Sequence, residues 1–173
     1  MTDAVTIREA APGDAEMLAR LGAKTFSDAF AAFNTEADMA AYLESAFGPA
    51  IQAAELEDPA GAFLVAESGG EAVGYARLRG GPAPECVAGP EPVEIERVYV
   101  LQEWKGTGAA AALMTACLEK ARARGFRTIW LGVWERNDRA VAFYRKWGFD
   151  VVGSKVFVVG SDPQNDLVME RAL

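Results

Sequence analysis

The sequence predicts a mixed α/β fold, with helices packed on a sheet that contains one locally parallel pair of strands. Two observations predict it. The second half of the chain alternates strands with helices, so that two strands can lie parallel across a helical crossover. The first half has two apolar segments joined by Ser68, Gly69 and Gly70, which indicates an antiparallel β-hairpin. The 173 residues suit one domain over residues 1–173, with a core that needs no disulfide or metal.

The first half predicts a short strand at 5–8 and two helices before the hairpin. Asp14 is a candidate N-cap for the first helix. The second helix begins near Thr35, because Thr35 and Asp38 have the spacing of a capping box, and it ends at Gly48 and Pro49. The apolar positions that share a helix face are Met17, Leu18 and Leu21 in the first helix, and Met39, Tyr42, Leu43, Ala46 and Phe47 in the second.

The hairpin strands are predicted at 62–67 and 71–79, and the Gly- and Pro-rich residues 80–92 are predicted to form an irregular loop. A strand follows at 92–101. Because side chains alternate along a strand, one of its faces is predicted to carry Glu94, Glu96, Val98 and Val100.

The remaining elements alternate to the end of the chain. A helix over 108–124 ends at Gly125, and an apolar strand at 127–134 is typical of the middle of a sheet. A further helix runs from its N-cap Asn137 to Gly148, and closing strands are expected at 149–153, 155–159 and 167–171. The inner stripes are Leu113, Met114, Cys117, Leu118 and Ala121 in one helix, and Ala140, Phe143, Tyr144 and Trp147 in the other.

Composition excludes several classes of chemistry. The chain has no histidine, so Ser/His and Cys/His nucleophile pairs and histidine metal sites are excluded, and no metal is expected. The two cysteines, Cys86 and Cys117, make no disulfide framework. No segment is predicted to be a secretory signal or a membrane span, so the expected location is the cytoplasm without membrane association.

Charge is divided unevenly between the two halves of the chain. Residues 1–90 hold 5 basic and 14 acidic side chains, a net −9, and residues 91–173 hold 12 and 11, a net +1. The overall charge of −8 argues against nucleic-acid binding. The asymmetry favours an anionic ligand in the second half and tolerates a cationic one near the first, although acidic residues also serve solubility alone.

The segment from Val98 to Leu113 combines a strand, a glycine turn and a helix. The unpaired backbone N–H groups of the first helical turn point outward together, and the helix dipole favours an anion there. Gly106 and Gly108 let a phosphate come close, so a pyrophosphate is the expected ligand. The P-loop and dinucleotide-binding glycine patterns are both absent. A glycine turn with no ligand is the alternative.

This segment resembles motif A of the GCN5-related N-acetyltransferases (GNAT), written R/Q-x-x-G-x-G/A. Lys105 stands at its first position, Gly108 at the first glycine and Ala110 at the final small residue. Residues 131–137 and 140–149 resemble the fifth strand of the family and its N-x-x-A-x-x-F-Y-x-x-x-G-F signature. The resemblance implies the GNAT fold, a mixed and mostly antiparallel central sheet with helices on both faces.

A closer resemblance, to PaiA-type spermidine/spermine N-acetyltransferases, covers most of the chain. It extends over residues 25–30, 42–47, 95–97, 130–137 and 160–169. Lys105 departs from the usual Arg or Gln, the loop at 80–92 is irregular for the group, and Lys155 adds a cation near the last strands. The implied activity is direct transfer of acetyl from acetyl-CoA to a primary amine, with a polyamine as the expected acceptor.

The resemblance also implies roles for particular residues. Tyr144 is the general acid for the CoA thiolate, and a backbone N–H, expected at Val98, polarises the thioester. Glu96 is the candidate base, with Glu94 in reserve. Either carboxylate could equally be a solvated group at the strand end. For Tyr144 the functional role is favoured over the alternative, that its ring only fills the core beside Phe143 and Trp147. Acetyl-CoA is expected to contact Val98, Tyr99, Val100, Lys105, Gly106, Thr107, Gly108, Ala109, Ala110, Ala111, Asn137 and Lys146.

The acceptor remains open between several amines. Asp28, Glu36, Asp38 and Glu44 lie on or near the two helices that wall the acceptor cleft in the family, and their carboxylates suit a polyamine. They would equally suit an aminoglycoside, an amino acid or a peptide amine. A regulatory module that binds acyl-CoA without turnover is the alternative of a different class. A homodimer is common in the family, and an acetyl-cysteine intermediate is not expected.

Overall fold

One seven-stranded sheet runs through the chain, whose residues 3–173 are described by a computed structural model. Its strands lie in the order β1-β2-β3-β4-β5-β7-β6. All neighbouring pairs are antiparallel except β4 with β5. The strands are β1 (Thr6–Glu9), β2 (Gly61–Ser68), β3 (Glu71–Arg79), β4 (Pro92–Val100), β5 (Thr128–Trp134), β6 (Asp150–Val159) and β7 (Asp162–Ala172). The helices are α1 (Ala15–Phe30), α2 (Glu36–Ala46), α3 (Pro49–Glu57), α4 (Ala109–Ala123) and α5 (Asp138–Lys146).

Helices cover both faces of the sheet, as predicted. On one face α4 and α5 pack on a core that includes Leu113, Met114 and Ile129. On the other face α1, α2 and α3 cover two smaller clusters, one around Leu18 and Tyr75 and one around Phe26, Met39 and Phe47. The mixed α/β class, the locally parallel pair and the inner stripe of α4 are therefore confirmed.

The parallel pair is short. β4 and β5 are in register only from Pro92 and Thr128 to Glu94 and Trp130. Beyond that point β4 continues beside β3 and β5 continues beside β7. The sheet therefore opens between the two strands over the second half of each.

The strict alternation predicted for β4 is wrong. Opposite β3, Arg97 pairs with Arg77 but Ile95 pairs with Leu78, so Glu96 is the extra residue of a β-bulge. The bulge shifts the alternation of side chains by one residue. The side chains on the α4 side of the sheet are therefore those of Val93, Ile95, Val98 and Val100. The side chains of Glu94 and Glu96 instead contact the arginines of β3, and Arg97 of β4 reaches Glu55 of α3.

Helix α3 was not predicted, because Gly48 and Pro49 were interpreted only as the end of α2. The same pair also begins a helix, with Gly48 as N-cap and Pro49 in the first turn, where its missing N–H costs nothing. Two of the predicted closing strands, 149–153 and 155–159, are one strand, β6. Gly153 does not end it, because its missing side chain makes room for Cys86 from the loop after β3, whose Sγ lies 2.7 Å from where a Cβ would stand.

Two predicted helix caps differ in detail. The Asp14 side chain does not cap α1, because it is held by Arg8 and by the N–H of Ala11. Thr35 does cap α2 by accepting from the N–H of Asp38. Asp38 completes no reciprocal capping box, since its carboxylate accepts hydrogen bonds from the backbone and hydroxyl of Ser161 in the β6–β7 turn. These bonds tie α2 to that turn.

No helix among residues 3–173 is long and apolar enough to span a bilayer.

Candidate active site

A cavity of about 620 Å³ lies where β4 and β5 separate. Its walls come from both strands, from α1 and α2, from the first turns of α4 and α5, and from the β6–β7 hairpin. One end is formed by the glycine turn before α4. The other end is closed by aromatic and charged side chains from the opposite side of the sheet. The two ends are joined at Val98, Tyr99 and Val100 on one side and at Asn137 and Tyr144 on the other.

The glycine turn has the geometry of an anion site. Gly106 and Gly108 have φ of +79° and +93°, and no atom lies within 4 Å of the position where either would carry a Cβ. The first hydrogen bond of α4 runs from Ala112 N to Gly108 O, so the N–H groups of Ala109 to Ala111 precede it and are free for a ligand. Positive φ therefore requires glycine here, and the open space allows a phosphate to reach the backbone.

Most of the predicted ligand-contacting residues line the cavity. They are Val98, Tyr99, Val100, Lys105, Gly106, Gly108, Ala110, Ala111 and Asn137. Thr107 and Ala109 do not line it: the hydroxyl of Thr107 donates to Trp104 O, and Ala109 is fully buried against the core. Lys146 is exposed in the last turn of α5 and lies outside the lining. On α5 the cation that lines the cavity is instead Arg139, in the first turn of the helix, and it was not among the predicted site residues.

Tyr144 lies on the inner face of α5 with its ring against Phe143 and Phe149, at centroid distances of 5.4 and 5.9 Å. Burial, and to a smaller extent the nearby Cys117 thiol, raises its pKa above the usual range. The phenol is therefore protonated at neutral pH. The ring of Tyr144 packs in the core and the residue also lines the cavity. Core packing and a role as general acid are therefore compatible.

Asn137 both caps α5 and lines the cavity. Its side-chain oxygen accepts from the N–H of Ala140 at 3.2 Å, which confirms the predicted cap of α5. The residue lines the cavity at the same time.

Glu96 is bound by arginines. It forms a close ion pair with Arg77, and its other oxygen lies 3.2 Å from Arg79 and 3.5 Å from Arg97. Arg77 and Arg97 in turn hold Glu55 of α3 at 2.6 and 3.0 Å. The candidate base therefore belongs to a buried network of alternating charges that joins α3 to the sheet.

Glu94, the reserve candidate, is also paired. Arg79 donates to it at 2.6 and 3.0 Å, and its second oxygen lies 3.8 Å from Lys155 Nζ. Lys155 reaches it from β6 by crossing over Gly132 of β5, where a Cβ would lie 2.6 Å from its Cε.

One carboxylate of the cavity has no such partner. Asp166 of β7 is 8% exposed, and no side chain among residues 3–173 forms a hydrogen bond or ion pair with it. Desolvation raises its pKa from 3.8 to about 6, against the opposing effect of Lys155. Sequence analysis did not select Asp166, because only the pairing of β7 with β5 brings it into the cavity.

The four acidic residues expected on or near the helices of the acceptor cleft do not themselves line the cavity. Asp28 pairs with Lys24 at 3.1 Å, and Asp38 is bonded to Ser161. Glu36 and Glu44 are exposed on α2. The two helices, α1 and α2, do wall the cavity, but they turn aromatic side chains inward, so these carboxylates are not placed to bind an acceptor inside it. The aromatic residues that line this end are Phe26, Phe30, Tyr42, Phe47, Trp134 and Phe157.

Neither cysteine has the surroundings of a nucleophile. Cys117 is fully buried in α4, and burial raises the pKa of its thiol to about 12. Cys86 sits in the loop after β3, against Gly153. Within residues 3–173, no group of three metal-ligating side chains is arranged to hold a metal ion.

Comparison with known proteins agrees with this geometry. Residues 24–149 match the Acetyltransferase (GNAT) family. The chain is 38% identical over 160 residues to an uncharacterised N-acetyltransferase of Mycobacterium tuberculosis, covering 92% of this chain and 98% of that protein. It is 33% identical over 150 residues to an uncharacterised N-acetyltransferase of Lactobacillus delbrueckii subsp. lactis, covering 87% of each chain.

Solved structures share the fold. The crystal structure of the PaiA N-acetyltransferase from Thermoplasma acidophilum, in complex with coenzyme A, has a TM-score of 0.79 at 18% identity and covers 98% of this chain and 99% of that chain. A GCN5-related N-acetyltransferase from Rhodopseudomonas palustris has a TM-score of 0.77 at 22% identity, covering 100% and 98%. The chain belongs to the GNAT family of acetyltransferases, enzymes that take acetyl from acetyl-CoA.

Proposed function

We propose that this enzyme transfers acetyl from acetyl-CoA to a primary amine by direct attack. The observation that carries the proposal is the continuity of one cavity. The glycine turn at one end, the open edge of β4 with Tyr144 in the middle, and a buried carboxylate among aromatic rings at the other end all line the same space.

The residues fit acetyl-CoA from the pyrophosphate to the thioester. The free N–H groups at the start of α4, with Lys105, suit a pyrophosphate. Val98, Val100 and Asn137 offer backbone groups and one amide to a pantetheine arm, and Ala140 offers apolar surface. When bound, acetyl-CoA supplies the activated acetyl group. The backbone N–H of Val98 is proposed to polarise its carbonyl.

Tyr144 is proposed to protonate the departing sulfur. In the transfer, a C–N bond forms as the C–S bond breaks. The nitrogen loses two protons between ammonium and amide, the sulfur gains one, and one is released to solvent. A buried phenol with a raised pKa carries a proton at neutral pH, and a cavity-facing position puts it within reach of the site.

Release of the ammonium proton requires an acceptor. An alkylammonium has a pKa near about 10.4, so freeing its lone pair at pH 7 costs roughly 4–5 kcal/mol. Glu96 is the base proposed from the sequence, and Asp166, which also lines the cavity, is the competing acceptor of this proton. Because the oxygens of Glu96 are held by three guanidiniums, Glu96 would have to act through water.

A polyamine acceptor is the narrower hypothesis. The PaiA resemblance and an acidic first half support it. The position of Asp28, Glu36, Asp38 and Glu44 outside the cavity lining removes the support expected from those residues. Aminoglycosides, amino acids and peptide amines are the competing acceptors. Cytoplasmic location and a homodimer also stay predictions, and β6 is the outer strand on which Val156 and Val158 are exposed.

The test is release of CoA thiol from acetyl-CoA against a panel of amines, together with calorimetric titration of CoA. The panel holds spermidine, spermine, an aminoglycoside, lysine, a short peptide and simple alkyl- and arylalkylamines. Saturable release with an amine, absent without it, supports the proposal. Tight CoA binding with no release across the panel would favour the regulatory module over an amine acetyltransferase.

A further inference from the structure

We propose that Asp166 binds the ammonium of the acceptor and takes its proton, and that the acceptor is a monocationic amine with an apolar or aromatic body. This inference deepens the proposed function and rests on it. It assigns one residue to the acceptor and narrows the substrate class.

Asp166 lies on β7, between β5 and β6. It pairs with Trp134 across β5 and with Lys155 across β6, so its side chain lies over the face of the sheet that α1 and α2 cover. Gly132 of β5 has no side chain there, and Asp166 Oδ2 lies 3.1 Å from where its Cβ would be. Lys155 Cε takes up the same space, 2.6 Å from that position, and the Asp166 carboxylate lines the cavity beside it.

Asp166 has no ion-pair partner among the described residues, although Lys155 is its cross-strand neighbour. The carboxylates of Glu94 and Glu96 also line the cavity, but arginines already hold both. Asp166 is buried, although slightly less than Glu94, and its side chain has no hydrogen bond or ion pair within the described residues. A buried ionised carboxylate without a partner is unfavourable, and an ammonium ligand would supply what the fold leaves out.

The surrounding charges set how this carboxylate titrates. From β6, Lys155 is the nearest cation, and it lies closer to Glu94, which Arg79 also holds. From α2, the phenol of Tyr42 faces Asp166, and its pKa is raised to about 12, chiefly by burial. Gly132 and Trp134 of β5 add no charge. Asp166 is therefore ionised at neutral pH and is the group of this cluster that can gain a proton from a substrate.

Aromatic rings line the part of the cavity that would hold the rest of the acceptor. Tyr42 lies against Phe26 and Phe157, with ring centroids 4.4 and 5.5 Å apart, and Phe30 lies 6.1 Å from Trp134. These rings offer apolar surface beside one free anion. A polyamine would bring two or three further ammoniums into a space whose other carboxylates are already neutralised. A single ammonium on an apolar body fits this arrangement better.

In the reaction, the proton of the bound ammonium passes to an oxygen of Asp166, and the freed nitrogen lone pair forms the C–N bond. The electron pair of the broken C–S bond stays on sulfur, which takes the proton of Tyr144. The acylated nitrogen gives its second proton to water, Tyr144 regains a proton from water, and Asp166 releases its own, so that one proton is released per turnover.

The test compares Asp166→Asn with the wild-type enzyme and with Asp150→Asn, a matched change on the exposed part of β6. In the wild type, phenethylamine or hexylamine should have at least about tenfold higher kcat/KM than spermidine. Asp166→Asn should raise the amine KM at least about tenfold and leave the acetyl-CoA KM unchanged. It should also abolish the acidic limb of the kcat/KM profile near pH 6, while Asp150→Asn should match the wild type.

A binding measurement separates this inference from the proposed function. With CoA bound, phenethylamine should perturb tryptophan fluorescence in the wild type, because Trp134 lines the cavity. It should bind at least about tenfold more weakly to Asp166→Asn. This holds even if no thiol is released. Equal amine affinity in both proteins, no amine binding to the wild type, or a preference for spermidine would overturn the inference. If the variant does not fold, the amine affinity of the wild type is measured against pH instead. It should fall as the pH drops below 6, and an affinity independent of pH would overturn the inference.

Discussion

A buried carboxylate without a counter-charge should destabilise the fold at neutral pH, and Asp166 allows this effect to be measured. We expect Asp166→Asn to increase the free energy of unfolding near pH 7.5. The amide has nearly the same size and shape as the carboxylate, and it removes the desolvated charge.

The magnitude follows from the pKa of the carboxyl group, which is 3.8 when exposed and about 6 in the fold. The difference corresponds to about 3 kcal/mol when both states are ionised. Between these pKa values the folded state holds a proton that the unfolded state has lost, so wild-type stability falls as the pH rises toward 6. Above 6 the whole penalty is present. Counting water that enters the open cavity, we expect a gain of about 1–3 kcal/mol for the variant at pH 7.5, and about half of that at pH 5.

The assay is urea denaturation followed by tryptophan fluorescence at pH 7.5, 7, 6 and 5, all above the sequence pI of about 4.7. Asp150→Asn is the control, since the same chemical change at an exposed position should shift stability little at any pH. A variant less stable than the wild type at pH 7.5, or a difference independent of pH, would refute the reasoning. It would mean that the Asp166 carboxylate has a compensating partner in the fold.

Three further predictions concern other parts of the molecule. Tyr144→Phe should lower kcat at least about 100-fold and change CoA affinity less than about twofold, since only the hydroxyl is lost; unchanged turnover in the thiol assay would remove its role as acid. Gly108→Ala should weaken CoA binding in calorimetry, because φ of +93° strains any side chain; Gly125→Ala, with φ of +83° at the far end of α4, should cost similar stability and leave CoA affinity intact. Glu55→Gln should destabilise the fold by about 3 kcal/mol, because it leaves Arg77 and Arg97 short of a partner; the exposed Glu57→Gln is the control, and equal urea midpoints would show that the ion network contributes nothing.

The parts of the fold that depend on local sequence could be predicted. The Gly69–Gly70 turn has φ of +59° and +81°, which only glycine adopts readily, and it joins two strands that were predicted within two residues. The stripe of α4 and the glycine turn before it were likewise found, because a period of 3.6 residues and positive φ leave direct traces in a sequence.

What depends on contacts between distant residues could not be predicted. The bulge at Glu96 shifts β4 by one residue and moves two glutamates away from the predicted face, yet nothing local marks it. Nothing in the sequence distinguishes Asp166 from the other carboxylates. It has no ion-pair partner because Arg79 and Lys155 contact Glu94 instead. The aromatic lining of the acceptor end needed α1, α2 and the β6–β7 hairpin to be brought together.

The most direct test of the central claim is to follow isotope-labelled acetyl from acetyl-CoA by mass spectrometry, with the amine panel and the wild-type enzyme. The account predicts a labelled N-acetyl product with an alkyl- or arylalkylamine, formed in step with free CoA, and no labelled protein when the amine is left out. CoA binding without any acetylated amine, or acetyl that accumulates on the enzyme itself, would contradict direct transfer to an amine.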